Sequence, residues 1–364
     1  MTARLRILTA AVLVLLPFLS LPPASAAPAP FGPVRTIRGC SGDTHAAATA
    51  DGTVWATTSC GAESYATPDI LRPGGSWTRR ADRFPGRSLA VTDDGRFTYS
   101  VMTYHGTDLN LHKRQHDARW YGMAGLSRAT SAYRPAVVAR DGRYWAVWSE
   151  RTCAADGTCR GRLFQQRSLG DETPERTPVF AVESDSADAP SMALRGTGVV
   201  LVFLDTSNGS TQLDLATAGP DGVWTNTVIA RGAQISSPSV AVSGGRTVVG
   251  WVVDGRAWLM IDDGDLHFSG GRPVPYRAPV NALRVAASGG RAFVATSSCF
   301  PYAASTTCRV YLAEAGLTGP VTGTEVSVGT GAIRWELEDL VAARGRATVL
   351  MDTGKALVSR SQNG

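Results

Sequence analysis

Glu150 and Asp205 each close an apolar run, "YWAVWSE" and "VVLVFLD". Two carboxylates brought together from such runs could act as acid and base on a glycosidic bond. Each could equally be solvated or paired with a nearby arginine such as Arg134. Asp43, Tyr104, His105, Arg134, Arg334 and Trp335 complete the set of polar and aromatic residues that could meet a ligand. Other chemistries are excluded by spacing. His112 and His116 fall on one face of an expected strand about 13 Å apart, too far to share a metal. "DTSNGS" lacks the alternating acidic ligands of a calcium loop. "SGGR" at Ser243 and Ser288 is followed by no helix that could hold a phosphate. No Gly-x-Ser-x-Gly elbow occurs. No metal and no cofactor are expected.

The elements that must position these residues are short strands. "PSVAVSGGRTVVGWVVDGRAWLMI" reads as three of them joined by a Gly-Gly and an Asp-Gly turn, residue pairs that accept positive φ cheaply. Similar units surround Gly52, Gly95, Gly142, Gly198, Gly245, Gly290 and Gly345, spaced 43 to 56 residues apart. Arg follows five of these glycines, as Arg96, Arg143, Arg246, Arg291 and Arg346. Valine-rich runs cut by glycine exclude helical repeats. Four strands per unit at this period predict an all-β, seven-bladed β-propeller, with six or eight blades as the alternatives. The last unit ends after three strands, while "GPVRTIRG" (32–39) is an extended segment preceding the first. An N-terminal strand completing the last blade would close the ring and remove two open edges.

Alternating strand direction places second-to-third hairpins and blade-to-blade connections on one face. Cys60, Cys153, Cys159, Cys299 and Cys308 fall in or beside such hairpins, and Cys40 in such a connection. An even set of six cysteines in an exported chain predicts disulfides. The expected pairs are Cys153–Cys159, Cys299–Cys308 and Cys40–Cys60. The longer inserts, including "SERTCAADGTCRG" and "SSCFPYAASTTC", lie on the same face. Stapled loops there predict either a recognition surface or protection from proteolysis.

Export is read from the N-terminus. Arg4 and Arg6 precede an apolar run from Ile7 to Leu21, and Ala24-Ser25-Ala26 offers a cleavage site. The run is shorter than the roughly 20 residues a membrane span requires. The expected organisation is a signal peptide (1–26), a Pro/Ala-rich segment (27–31) and one propeller domain (32–364), secreted, extracellular and free of the membrane after cleavage. The net charge is +5, carried almost wholly by arginine, since lysine occurs only at Lys113 and Lys355. No basic run or aromatic-interleaved stripe accompanies it, which argues against nucleic acid.

Units of the form "PSVAVSGGRTVVGW" resemble secreted bacterial β-propellers of the sialidase-like superfamily. "GPDGVW", ending at Trp224, and "PGGSW", ending at Trp77, resemble the Asp-box of that superfamily in shortened form. Both fall in the expected turn between third and fourth strands, where the motif's Trp serves folding. The resemblance implies a propeller scaffold and, in its enzymes, an arginine clamp with a Tyr, Glu and Asp machinery. The Phe-Arg-Ile-Pro string of that clamp is absent, and "YRP" at Tyr133–Pro135 is the nearest substitute. The expected function is therefore a monomeric module binding a carbohydrate or an extracellular protein on the disulfide face. A glycoside hydrolase or lyase using carboxylates of that face is the alternative.

Overall fold

The computed structural model describes residues 30–363 apart from 41–43, 59–64, 67, 81–83, 86–87, 93–94, 105–107, 116–120, 128–131, 158, 169–176, 179–186, 208–209, 269, 276–278, 303–304, 317–320 and 327–334. The signal-peptide reading falls on residues outside this set. The chain forms seven four-stranded antiparallel sheets, with an added two-stranded sheet. Blades 1 to 6 begin at Thr44, Ser88, Ala132, Ala187, Ile235 and Ala282, and each uses four strands in chain order. Blade 7 takes Glu336–Ala343, Arg346–Asp352 and Leu357–Ser361 from the C-terminus and its fourth strand, Arg35–Arg38, from the N-terminus. Arg35 pairs with Ser359 and Thr36 with Val358, so the anticipated closure is present.

First strands of successive blades lie side by side round the ring, from blade 1 through 7 and back to 1. Their inner edges face the axis, where backbone N–H groups have no further strand to bond. Side chains of the preceding blade supply acceptors instead. Ser191 Oγ accepts Val240 N at 3.1 Å, Ser239 Oγ accepts Val285 N at 2.9 Å and Asp339 Oδ2 accepts Ala46 N at 2.7 Å. All three acceptors sit four residues before the end of their strand.

The first hairpins turn as the glycines predict. Asp141-Gly142, Gly244-Gly245, Gly289-Gly290 and Arg344-Gly345 all have positive φ at both positions, the two-residue turn whose twist suits paired strands. Blade 4 differs from the sequence reading. Its positive-φ glycine is Gly196, whereas Gly198 opens the second strand. A Cβ on Gly198 would stand 2.1 Å from the Ala218 carbonyl oxygen of the adjacent strand. Gly198→Ala is expected to cost about 2 kcal/mol by forcing the two strands apart. Urea unfolding of the variant measures it, and an unchanged midpoint would refute the close approach.

Blades stack face to face, so strand alternation sends each residue to one of two interfaces. Trp148 and Tyr99 pack between blades 2 and 3, while Trp145, Val147, Leu201 and Phe203 pack between blades 3 and 4. The two Asp-box-like tryptophans reach back to the preceding blade. Trp224 lies edge-on to Trp145 and donates to Gln165 Oε1 at 2.9 Å, and Trp77 donates to Ser359 Oγ at 2.8 Å.

Candidate functional site

The two faces of the ring are built differently. On one, the first turns are short, and basic side chains strap five of the blades, among the described residues, to a turn carbonyl of the next. Arg35 donates to Gly75, Lys113 to Gly142, Arg140 to Gly196, Arg195 to Gly264 and Arg291 to Gly345. Arg167 spans to both Pro220 and Asp221 in the same direction. The arginine content thus has a structural use, because a planar guanidinium can bridge several acceptors at once.

The opposite face carries the elaborations. In blade 3 the second–third hairpin extends to Cys153 and Cys159, which are direct ladder partners joined by a disulfide. Blade 6 repeats the arrangement with Cys299 and Cys308, and its ladder continues to Tyr302 and Ser305. Cys40 is also disulfide-bonded, and Cys60 lies outside the described residues. Near blade 1 the two-stranded sheet pairs Tyr65–Ala66, from the second–third hairpin, with Phe84–Pro85, from the connection to blade 2.

The candidate ligand residues are divided by this architecture. Asp43, His105 and Arg334 lie outside the described residues. Tyr104 ends the second strand of blade 2 opposite Asp108. Arg134 is exposed in a bulge at the start of blade 3, with φ 48° ahead of Pro135. Trp335 is buried in the apolar cluster between blades 6 and 7, and its backbone N–H donates to the Cys308 carbonyl at 3.3 Å. Its surroundings are those of a core side chain.

Glu150 and Asp205 occupy equivalent strand positions but face different interfaces. Glu150 turns toward blade 2, where it accepts Ser127 Oγ at 2.6 Å and Trp148 Nε1 at 2.8 Å. Asp205 shares a strand face with Phe203 and turns toward blade 3. The sheet of blade 3 therefore stands between the two carboxylates. Period-2 alternation causes this, since equivalent positions of neighbouring blades both point at the blade before.

Asp205 has another partner, which the sequence reading missed. Gln212 Nε2 donates to Asp205 Oδ2 at 3.2 Å and to Asp214 Oδ2 at 3.3 Å, and Asn226 Nδ2 donates to Asp214 Oδ1 at 3.4 Å. Asp214 is fully buried. Burial, followed by repulsion from Asp205, raises its carboxyl to a pKa of about 6, while amide donors and Arg231 oppose the shift. A carboxyl that holds its proton to pH 6 beside a second carboxylate is the pairing an acid/base reaction uses. The available signal was "TQLDL", which places Gln212 and Asp214 on the same strand face as Asp205.

A second acidic group stands at the blade 7 end of this face. Glu336 pairs across the sheet with Asp352, and carboxylate oxygens of Glu336, Glu338 and Asp352 lie within 4.8 Å of one another. Glu336 also lies within that distance of the Cys299–Cys308 sulfurs. Clustered oxygen ligands suit a hard cation or a cationic ligand group. Farther along the first strand, Asp339 faces Arg284 of blade 6, which partly offsets the upward shift that burial gives its carboxyl.

No protein-family model matches the chain, and no curated protein sequence does either. Solved structures match by fold. An acylaminoacyl peptidase of Pyrococcus horikoshii aligns at TM-score 0.53 and 12% identity over 90% of this chain and 53% of its own. The chain thus spans about half the length of that peptidase. Hydrazine synthase of Kuenenia stuttgartiensis aligns at 0.53 and 12% over 89% and 96%. The propeller domain of the Trilobed protease of Pyrococcus furiosus, described as having an open velcro topology, aligns at 0.52 and 11% over 90% and 96%. The present ring differs from that description in being closed by Arg35–Arg38. The likeness shows the propeller fold.

Proposed function

We propose that this protein is a secreted binding module that recognises a carbohydrate or an extracellular protein on the disulfide-bearing face. The asymmetry between faces carries this reading. One face has short first turns strapped by basic side chains, whereas the other bears extended hairpins fixed by disulfides. Extending loops and then rigidifying them lowers the entropic cost of binding, which a merely protective surface does not require. The disulfides accord with an extracellular setting. Descent from sialidase-like propellers would account for the Asp-box-like turns at Trp77 and Trp224, but the Phe-Arg-Ile-Pro string of their arginine clamp is absent from the sequence.

A second reading, a glycoside hydrolase or lyase, draws on the Asp205–Asp214 pair. The test incubates oxidised protein with polysaccharides, sialosides and bacterial cell-wall preparations, then assays pelleted protein and soluble products in the same tubes. The binding module predicts retention on one ligand class without products, and Asp205→Asn or Glu150→Gln leaves retention within about twofold. Released product would make the enzyme reading correct, and Asp214→Asn should then abolish turnover while retaining binding. Absence of both retention and product would exclude all the tested carbohydrates and leave a protein ligand.

A further inference from the structure

Outer strands end each blade at the circumference of the ring, and six of the seven are ill suited to pairing with another chain. Those of blades 1, 3 and 5 span Trp77–Arg79, Thr177–Pro178 and Arg272–Pro273, two of them with proline at the edge. The outer strands of blades 2 and 6 contain glycines (Gly122, Gly125 and Gly323), and blade 7 ends on Arg35–Arg38 with two arginines. Short edges, proline and charge are the devices by which sheet edges avoid association. The outer strand of blade 4 carries its one charge, Arg231, and its one glycine, Gly232, only at its far end. It runs for nine residues, Trp224–Gly232, and no charge occurs between Asp221 and Arg231. Thr225 to Val228 are exposed, and Val223 and Val228 are two of three exposed large apolar side chains among the described residues.

We propose that two copies of the chain associate by antiparallel pairing of this strand about a two-fold axis at Asn226. The register follows from the strand itself. Its ladder with the third strand is regular from Trp224, opposite Ala218, to Val228, opposite Asp214, and then shifts. The midpoint of that regular stretch is Asn226. Antiparallel pairing about it sets Trp224 of one copy against Val228 of the other, and Thr225 against Thr227. The flanking charges are of opposite sign, with Asp221 in the turn that precedes the strand and Arg231 beyond its register shift, each five residues from Asn226. Both are exposed. Any other register loses this match. A chain with one such edge closes as a dimer and does not propagate into a filament. Because the edge lies on the circumference, both disulfide faces stay open, and the dimer is bivalent toward any immobilised ligand. This inference stands independently of what the face binds.

Sedimentation equilibrium across a concentration series tests it on the purified, oxidised protein, alongside Asp221→Arg, Arg231→Asp and the double exchange. The expected result is a reversible dimer. Each single reversal should weaken it at least about tenfold, since like charges then face each other at both ends, and the double exchange should restore it. A monomer at every concentration overturns the proposal, including one that instead takes up an extended peptide along this edge. A dimer indifferent to all three variants places the interface elsewhere, and failure of the double exchange to restore association refutes the register. Circular dichroism of the variants confirms that each is folded.

Discussion

Arg38→Met is expected to lower folding stability by about 3–5 kcal/mol, the penalty for leaving a buried charge without its partner. Arg38 lies in the closing strand and its Nε meets Asp69 Oδ2 of blade 1 at 2.5 Å, both side chains less than a tenth exposed. Arg79 is also near Asp69, at 3.4 Å, but is more than half exposed and offers only a screened contact. The pair thus locks the N-terminal strand to the first blade as well as to the last, where ring closure would otherwise depend on one four-residue strand. Urea unfolding should show a lower midpoint with an unchanged slope. Replacing both partners, as Arg38→Met with Asp69→Leu, should recover most of the loss, because no charge is then stranded. Deleting residues 33–38 should cost more still, since blade 7 is left with three strands and the ring with two open edges. Unchanged stability after that deletion would disprove closure by this strand.

Asp214→Asn should have the opposite sign. The carboxyl has an ordinary value of 3.8 and is held near 6 in the fold. A raised carboxyl favours folding while protonated, so its contribution is fully present below about pH 4 and is lost as pH rises through 6. Above that window the buried carboxylate costs about 3 kcal/mol relative to the protonated acid. The asparagine variant carries no such cost. It should unfold at higher temperature than wild type at pH 7.5, with the two curves converging toward pH 4. The charged groups acting on Asp214 are Asp205, which opposes ionisation, and Arg231, which favours it. A difference that does not vary with pH would mean that Asp214 is ionised throughout. Carboxyls shifted in this way cluster at functional sites. The physical origin of the shift here is burial under the face that bears the stapled hairpins.

The fold was largely legible because its signals are local. Two-residue turns need positive φ, and Asp141-Gly142, Gly244-Gly245 and Gly289-Gly290 announce that need in their residue types. Gly198 misled for the same reason, since a glycine required by a close contact looks identical in sequence to one required by a turn. The candidate site was legible only in part. Glu150 and Asp205 were identified as strand-end carboxylates, yet they face different blade interfaces, and Gln212 links Asp205 to Asp214 on its own blade. Trp335 looked like a rim aromatic and is core.

Sequence alone determined the class and the closing strand, favoured seven blades over six or eight, and placed the hairpins of Cys153–Cys159 and Cys299–Cys308 on one face, because each follows from periodicity, turn chemistry and strand direction. Tertiary structure decided which carboxylates meet and which side chains are buried. It also assigned the arginines to strapping turns. Those outcomes depend on which of its two neighbouring blades each side chain faces. A strand's alternation fixes that choice only up to a sign, and the packing of blade against blade supplies the sign.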